Sequence, residues 1–152
     1  MGAAYFYHLT ETPLERTLPM LLGKCREAGW RVAVRGRDAA LLESLDAALW
    51  QDGFLPHGMA GGPHDAAQPV LLGVDLVADG FSCLMSVGGA PVTAAEVGLS
   101  ERVCILFDGH DDAAVQVARE QWKRLTGQGC AALYWAQEDG RWVKKAESAG
   151  EA

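Results

Sequence analysis

Apolar positions in this chain follow a strand period and a helix period in turn. Residues 4–9 alternate and are rich in aromatic side chains, which predicts a first β-strand. The leucines that follow keep a helical stripe up to Gly29, with Thr12 as the predicted N-cap and Pro13 at the first helical position. The same patterns predict further strands at 31–35, 69–72, 81–87 and 102–107, and further helices at 38–50 and 108–125.

Residues 51–68 keep neither period, because glycine, proline and histidine dominate there. A loop of this length is usually functional or mobile. After the last helix, 131–136 and 141–143 are predicted to form a hairpin, with Asp139-Gly140 as its turn. Residues 146–152 are predicted to be a flexible C-terminal tail.

The alternation of strands and helices predicts an α/β fold. We expect a three-layer α/β/α sandwich around a mostly parallel, mixed central sheet, which is Rossmann-like without a nucleotide site. A chain of 152 residues fits one domain, expected over 1–145 with the tail at 146–152.

Composition indicates a globular intracellular protein. Apolar residues make up 49% of the chain, yet no run of about 18 apolar residues predicts a membrane span. The N-terminus lacks a basic leader and an apolar segment, so we expect a cytoplasmic protein. Cys25, Cys83, Cys104 and Cys130 are far apart in sequence and match no zinc spacing, which predicts buried free thiols.

Charge is unevenly distributed along the chain. The formal net charge is -7, and residues 113–152 carry six cations against five anions, so residues 1–112 carry -8. The sequence pattern also shows no aromatic-lined basic groove. We therefore expect no strong direct binding of nucleic acid, and only weak binding of naked single-stranded DNA.

Signatures of enzymes and cofactors are missing. The glycine-rich stretches contain neither a P-loop nor a dinucleotide fingerprint, and no serine lies in a nucleophile elbow. His57, His64, Asp65 and His110 match no strong metal spacing. We expect no catalytic residue, no cofactor and no metal. A degenerate nucleotide-dependent or hydrolytic enzyme on the same sheet is the alternative hypothesis.

The most informative stretch is 118–124. Arg119, Trp122 and Lys123 are spaced i, i+3 and i+4, so on a helix they share one face. Two cations beside an indole suit a peptide with acidic side chains, a free carboxylate and a bulky apolar end. The alternative is a solvated helix face with Trp122 packed inward.

Trp50 and Phe54 lie at the end of the second predicted helix. They are either core residues or anchors of a docking edge.

Five segments carry a family resemblance: YFYHL at 5–9, WRVAV at 30–34, LDAALW at 45–50, FLPH at 54–57 and AREQWK at 118–123. Together they resemble the chi subunit of bacterial DNA polymerase III, an accessory protein of the clamp-loader complex. The resemblance covers the chain to about Val143.

The resemblance implies a non-enzymatic adaptor with two protein-binding surfaces. One would bind the acidic C-terminal tail of single-stranded DNA-binding protein, which ends in proline and phenylalanine. The other would bind the psi subunit or an equivalent clamp-loader protein, or alternatively a DNA-repair helicase. The implied tail-binding residues are Arg119, Trp122, Lys123 and Arg124, and the implied psi-like interface is Trp50, Phe54, Leu55, Pro56 and His57. One departure is Val115, one turn before Arg119, where a member of that family has a further basic residue.

Overall fold

The structure is a computed structural model, and it describes residues 2–51, 57–63 and 65–149. Within these ranges the chain forms eight strands, four helices and a short 3-10 turn at Asp65–Ala67. The helices are α1 (Leu14–Glu27), α2 (Ala39–Gln51), α3 (Ala94–Leu99) and α4 (Asp112–Gly127). The strands are β1 (Ala3–Leu9), β2 (Val32–Gly36), β3 (Gly58–Met59), β4 (Val70–Val74), β5 (Cys83–Ser86), β6 (Arg102–Asp108), β7 (Ala131–Glu138) and β8 (Arg141–Ser148).

All the described strands join one sheet in the order β3-β4-β2-β5-β6-β1-β7-β8. Every neighbouring pair is parallel except the β7–β8 hairpin, which is antiparallel. Helices α1 and α2 pack on one side of the sheet, and α3 and α4 pack on the other. This arrangement confirms the predicted α/β fold with a mostly parallel, mixed sheet.

Strand β1 shows how the alternating pattern supplies both layers. Phe6 is fully buried on the α4 side, while Tyr7 is buried on the α1 side together with leucines of α1 and α2. Such alternation is expected when both faces of a strand are covered. Because β1 lies between β6 and β7, its aromatic residues reach both surfaces of the sheet near the β7–β8 edge.

The start of α1 differs from the prediction. The N-cap residue is Pro13, without a side-chain cap, and not Thr12. The loop before α1 is held by the Gln137 side chain, whose Oε1 accepts from the backbone N–H groups of residues 10, 11 and 12 at 2.9–3.1 Å. The first loop is thereby fixed to β7.

The sequence patterns missed two elements and misplaced one boundary. Helix α3 was not predicted, although Thr93 and Glu96 form a complete capping box at its start. The short strand β3 lies inside the segment 51–68 that was predicted to be a loop. Strand β8 continues to Ser148, so residues 146–148 belong to the hairpin and not to a flexible tail.

A buried ion pair links β2 to α3. The Arg35 guanidinium donates to both carboxylate oxygens of Glu96, at 2.9 and 2.5 Å, and also donates to the carbonyl oxygens of Leu76 and Pro91. The hydrogen bonds from Arg35 hold the pKa of Glu96 below its ordinary value. Arg35 is buried, and all three of its guanidinium nitrogens donate hydrogen bonds. The buried cation is therefore both paired and hydrogen-bonded, as a buried charge needs to be.

All four cysteines are free thiols, as predicted. Cys25, Cys83 and Cys104 are buried, and Cys130 is partly buried. A hydrogen bond with the Cys83 thiol and burial together raise the pKa of Cys25, so it stays protonated. In the described part of the chain, no helix is long and apolar enough to cross a membrane.

Candidate functional site

A cleft of about 610 Å³ lies between α4 and the β7–β8 hairpin. Helix α4 begins at Asp111, whose side chain accepts from the N–H groups of Ala113 and Ala114. It packs against the sheet through Ala118, Gln121 and Leu125. The cleft, called the tail cleft below, is lined by His8, Thr10, Arg119, Trp122, Lys123, Tyr134, Ala136, Gln137, Glu138, Lys145 and Ala146.

Aromatic side chains form the apolar wall of the tail cleft. The Trp122 indole is half-buried and meets the Phe6 ring edge to face, with centroids 5.3 Å apart. It meets Tyr134 in the same way at 5.9 Å. Edge-to-face packing of this kind holds the rings in fixed positions. The cleft therefore offers a preformed apolar surface.

Cations from two elements surround this surface. Arg119 and Lys123 are exposed side chains one turn apart on α4, and Lys145 reaches the cleft from β8. Glu138 is the one carboxylate among the described lining residues, and it forms an ion pair with Lys145. The three cations and one anion leave the cleft with a net positive charge on an acidic protein.

His8 and Tyr134 are bonded to each other inside the cleft, with 2.8 Å between His8 Nδ1 and the tyrosine oxygen. Burial lowers the pKa of His8, and the nearby positive charge of Arg119 acts in the same direction. Burial raises the pKa of Tyr134. Both groups are therefore neutral at neutral pH, and they leave the positive charge of the cleft uncompensated.

The structure places the predicted tail-binding residues in two different surroundings. Arg119, Trp122 and Lys123 line the tail cleft together, whereas Arg124 does not reach it. Arg124 donates to Gln121 Oε1 at 3.2 Å and lines a separate pocket with Arg37. Arg124 therefore lies outside the tail cleft, because its side chain leaves α4 on another face.

The sequence left two alternatives for Trp122, a place on a binding face or inward packing, and the structure combines the two positions. Its indole packs inward on Phe6 and at the same time lines the cleft. Val115, which lies one turn before Arg119 and adds no charge, packs against the core on the α4 side. The cleft gains Lys145, His8 and Tyr134, which sequence patterns did not assign to it. Lys145 comes from β8, where the sequence has a basic pair at 144–145.

The predicted psi-like interface is only partly described. Trp50 is 58% exposed, and its ring lies 4.3 Å from that of His57. His57 is buried, with Nε2 at 2.9 Å from a carboxylate oxygen of Asp46. Its place is beneath Trp50 and not on the exposed surface. Phe54, Leu55 and Pro56 lie outside the described residues.

A second cleft, of about 720 Å³, lies at the carboxyl ends of β1 and β6. Ligands of Rossmann-like proteins bind at such a position. Here the charged lining is Glu11, Glu15, Asp108 and Asp111 against Arg37 and His110. This excess of carboxylates disfavours a phosphate group. Among the described residues, no three His, Cys, Asp or Glu side chains come together as a metal site.

The fold is an α/β/α sandwich that carries a basic, aromatic-walled cleft. The sequence model of the family described as DNA polymerase III chi subunit, HolC, matches residues 1–132 of the 152, and the chain belongs to this family. This confirms the predicted resemblance and places the protein among the DNA polymerase III subunits of DNA replication. No curated protein matches the chain.

Proposed function

We propose that this protein is a non-enzymatic replisome adaptor, which links the clamp-loader complex to the acidic C-terminal tail of single-stranded DNA-binding protein. The observation that carries the proposal is the tail cleft, where Arg119, Lys123 and Lys145 surround a wall formed by Trp122 and Tyr134. A peptide that ends in an aromatic residue with a free carboxylate complements both the charge and the apolar surface of this cleft.

The roles of the cleft residues follow from their chemistry. A guanidinium binds a carboxylate through two parallel hydrogen bonds, so Arg119 suits the terminal carboxylate. Lys123 and Lys145 are point charges that suit the acidic side chains before it. The terminal phenylalanine would pack against the wall that Trp122 and Tyr134 form together. Lys145 would exchange Glu138 for a peptide carboxylate at little cost, because exposed ion pairs contribute about 0–1 kcal/mol.

The second contact of the adaptor would be made at the end of α2. An exposed tryptophan held by a buried histidine is a rigid anchor of the kind that dominates protein interfaces. The psi subunit or an equivalent clamp-loader protein is the proposed partner of Trp50, and a DNA-repair helicase is the alternative. The mechanism is tethering, in which a weak tail contact within an assembly raises effective concentration without catalysis.

Titration calorimetry with three peptides tests the proposal. The first is an acidic peptide that ends in Pro-Phe with a free carboxylate, the second is its amidated form, and the third lacks the phenylalanine. We expect the free-acid peptide to bind most tightly, and each change to weaken binding separately. Equal heats for all three peptides would contradict the proposed function.

A series of thermal-shift measurements distinguishes the adaptor from the alternative, an enzyme. A ligand that binds only the folded state raises the melting temperature. We expect the acidic Pro-Phe peptide to raise it, and nucleotides and divalent metals to leave it unchanged. Stabilisation by a nucleotide or a metal, without an effect of the peptide, would favour the enzyme.

A further inference from the structure

A further pocket lies on the other side of the sheet from the tail cleft, between the second half of α1 and the sheet. Its volume is about 310 Å³, the size of a site for one small ligand. We call it the α1-side pocket. It is lined by Tyr5, Tyr7, Leu21, Lys24, Cys25, Ala28, Trp30, Met85, Arg102, Cys104, Trp135 and Trp142.

Aromatic rings dominate this pocket. Tyr5 and Tyr7 are stacked with centroids 6.4 Å apart, and Trp142 meets Tyr7 edge to face at 5.2 Å. Trp30 and Trp135 complete the aromatic lining. The floor is apolar, because the thiols of the pocket are protonated or buried. An aromatic lining around a pocket of this size suits a flat, unsaturated ring.

The charges around the α1-side pocket are all positive. Lys24 and Arg102 are its charged lining residues, and no carboxylate lies among the described residues that line it. The Arg102 guanidinium lies 4.1 Å from the centre of the Tyr5 ring and 5.2 Å from that of Trp30. Within the described part of the chain, it has no hydrogen bond and no ion pair. A half-buried cation whose faces are covered by rings, and whose edge lacks an acceptor, favours an anionic ligand.

Two residues of the β7–β8 hairpin complete this pocket, and both lie beyond the segment that the family model matches. The match covers residues 1–132, whereas Trp135 and Trp142 lie beyond it. Each of these residues faces the α1 side, while Tyr134 faces the tail cleft. The same hairpin therefore contributes to two separate surfaces.

We propose that the α1-side pocket binds one base of a single-stranded nucleic acid, with the adjoining phosphate on Arg102 and Lys24. Stacking on aromatic side chains accepts any base, since every base has a π-face, and a nearby cation supplies the backbone contact. The lining of aromatic rings and cations favours a planar ring that is linked to an anion. The proposed contacts involve only the base and the phosphate, which DNA and RNA share.

The α1-side pocket brings aromatic rings and two cations together, which the sequence pattern alone did not show. The acidic charge, -8 on residues 1–112, still opposes binding of single-stranded DNA. One stacking site on an acidic protein should bind weakly, with a dissociation constant in the range of nonspecific complexes, about 10⁻⁴–10⁻⁶ M.

Fluorescence anisotropy of a labelled oligothymidylate of about ten nucleotides, titrated with the full chain at low salt, tests the proposal. We expect saturable binding that Trp142→Ala weakens at least about fivefold, the lower end for loss of a stacked base. Lys24→Glu should weaken binding at least about threefold. The matched control is Arg16→Glu, which makes the same charge change at an exposed position of α1 outside the pocket and should have no effect.

Two further arms identify the ligand. A ribo-oligonucleotide of the same length should bind through the same residues, and Arg119→Ala in the tail cleft should leave oligonucleotide binding unchanged. Lys24→Glu decides the test if circular dichroism shows that Trp142→Ala is unfolded, because Lys24 is exposed. Absence of saturable binding, equal loss in Lys24→Glu and Arg16→Glu, or loss of an acidic peptide and not the oligonucleotide in Trp142→Ala would each overturn the proposal.

Discussion

Two arginines five residues apart on α4 have different surroundings. Arg119 lies in the tail cleft, whereas Arg124 is bonded to Gln121 outside it. We predict that Arg119→Ala weakens binding of the acidic Pro-Phe peptide by about 1.5–3 kcal/mol, the range for a hydrogen bond to a charged group. This is at least about tenfold in the dissociation constant, measured by calorimetry.

Arg124→Ala is the matched control, because it removes the same charge from the same helix. We expect it to change the dissociation constant less than about twofold. Raising the salt concentration should weaken the wild type more than Arg119→Ala, since the cleft is exposed to solvent and screened. Equal affinities of Arg119→Ala and wild type for the free-acid peptide would show that this face of α4 is only a solvated surface.

Lys145 supplies the third cation of the tail cleft, where Val115 supplies none. We predict that Lys145→Ala weakens peptide binding by about 0.5–1 kcal/mol, less than Arg119→Ala, because Lys145 must first leave Glu138. The measurement is the same calorimetric titration. The neighbouring variant Lys144→Ala, which removes a cation paired with Glu147, should have no effect. A larger loss in Lys144→Ala than in Lys145→Ala would contradict the role of Lys145.

Some residues of the tail cleft could be predicted from the sequence, and others could not. Arg119, Trp122 and Lys123 could be grouped from the sequence because helical spacing is a local property. The same geometry argues against Arg124, since five residues turn a helix about 140° beyond one full revolution. Lys145 could not be assigned, because its position depends on the β7–β8 register, which shifts between residues 134 and 135.

At the scale of elements, the end of α2 carries the second proposed interface. Trp50 is 58% exposed, so truncating it removes little buried surface from the core. We predict that Trp50→Ala abolishes capture of the clamp-loader partner in a binding assay while stability falls by less than about 1 kcal/mol. Leu99→Ala, a control at an apolar side chain of α3 that is 83% exposed, should leave capture intact. A large stability loss with capture retained would identify Trp50 as a core residue.

The Arg35–Glu96 pair couples β2 to α3 and makes stability depend on pH. The pKa of Glu96 is lowered in the folded state, so its contribution is present above the ordinary glutamate pKa and is lost as pH falls through the folded value. We predict that Glu96→Gln lowers the free energy of unfolding by about 1.5–3 kcal/mol at pH 7. Urea unfolding at a series of pH values should show this difference shrinking below the ordinary glutamate pKa. A difference independent of pH would mean that the carboxylate charge contributes nothing.

The elements that the sequence missed are short ones. Helix α3 has six residues and one buried apolar side chain, Val97, so it shows no helical period. Its capping box, Thr93 to Glu96, is a genuine local signal, but without a following apolar stripe that signal is weak. Strand β3 has two residues and gains its identity only by pairing with β4. Long, strongly periodic segments such as α1 and α4 were found within a few residues.

At the scale of the whole molecule, layer architecture is easier to predict than strand order. Alternating strands and helices require a covered, mostly parallel sheet. The position of β1 between β6 and β7 depends on contacts about one hundred residues apart in sequence, which no local pattern encodes. That order brings aromatic residues of the first strand beside the last hairpin. It thereby builds both the tail cleft and the α1-side pocket.

Strand order also separates the two proposed protein-binding sites. Helix α2, which carries Trp50, packs on β4 near one edge of the sheet, whereas the tail cleft lies at β7 and β8. From β4 to β7 there are five inter-strand spacings, or about 24 Å. The two partners should therefore not touch each other. We predict that they bind at the same time, and that saturating clamp-loader partner changes the affinity for the acidic Pro-Phe peptide by less than about twofold.

Calorimetric titration of the peptide into the preformed complex measures this directly. Arg119→Ala should lose peptide binding in the complex as it does alone, which verifies that the same site is observed. Simultaneous occupancy is what tethering requires, because effective concentration rises only if one molecule holds both partners. Displacement of the partner by the peptide, or loss of peptide binding in the complex, would leave two exclusive binding states and would rule out an adaptor mechanism for this protein.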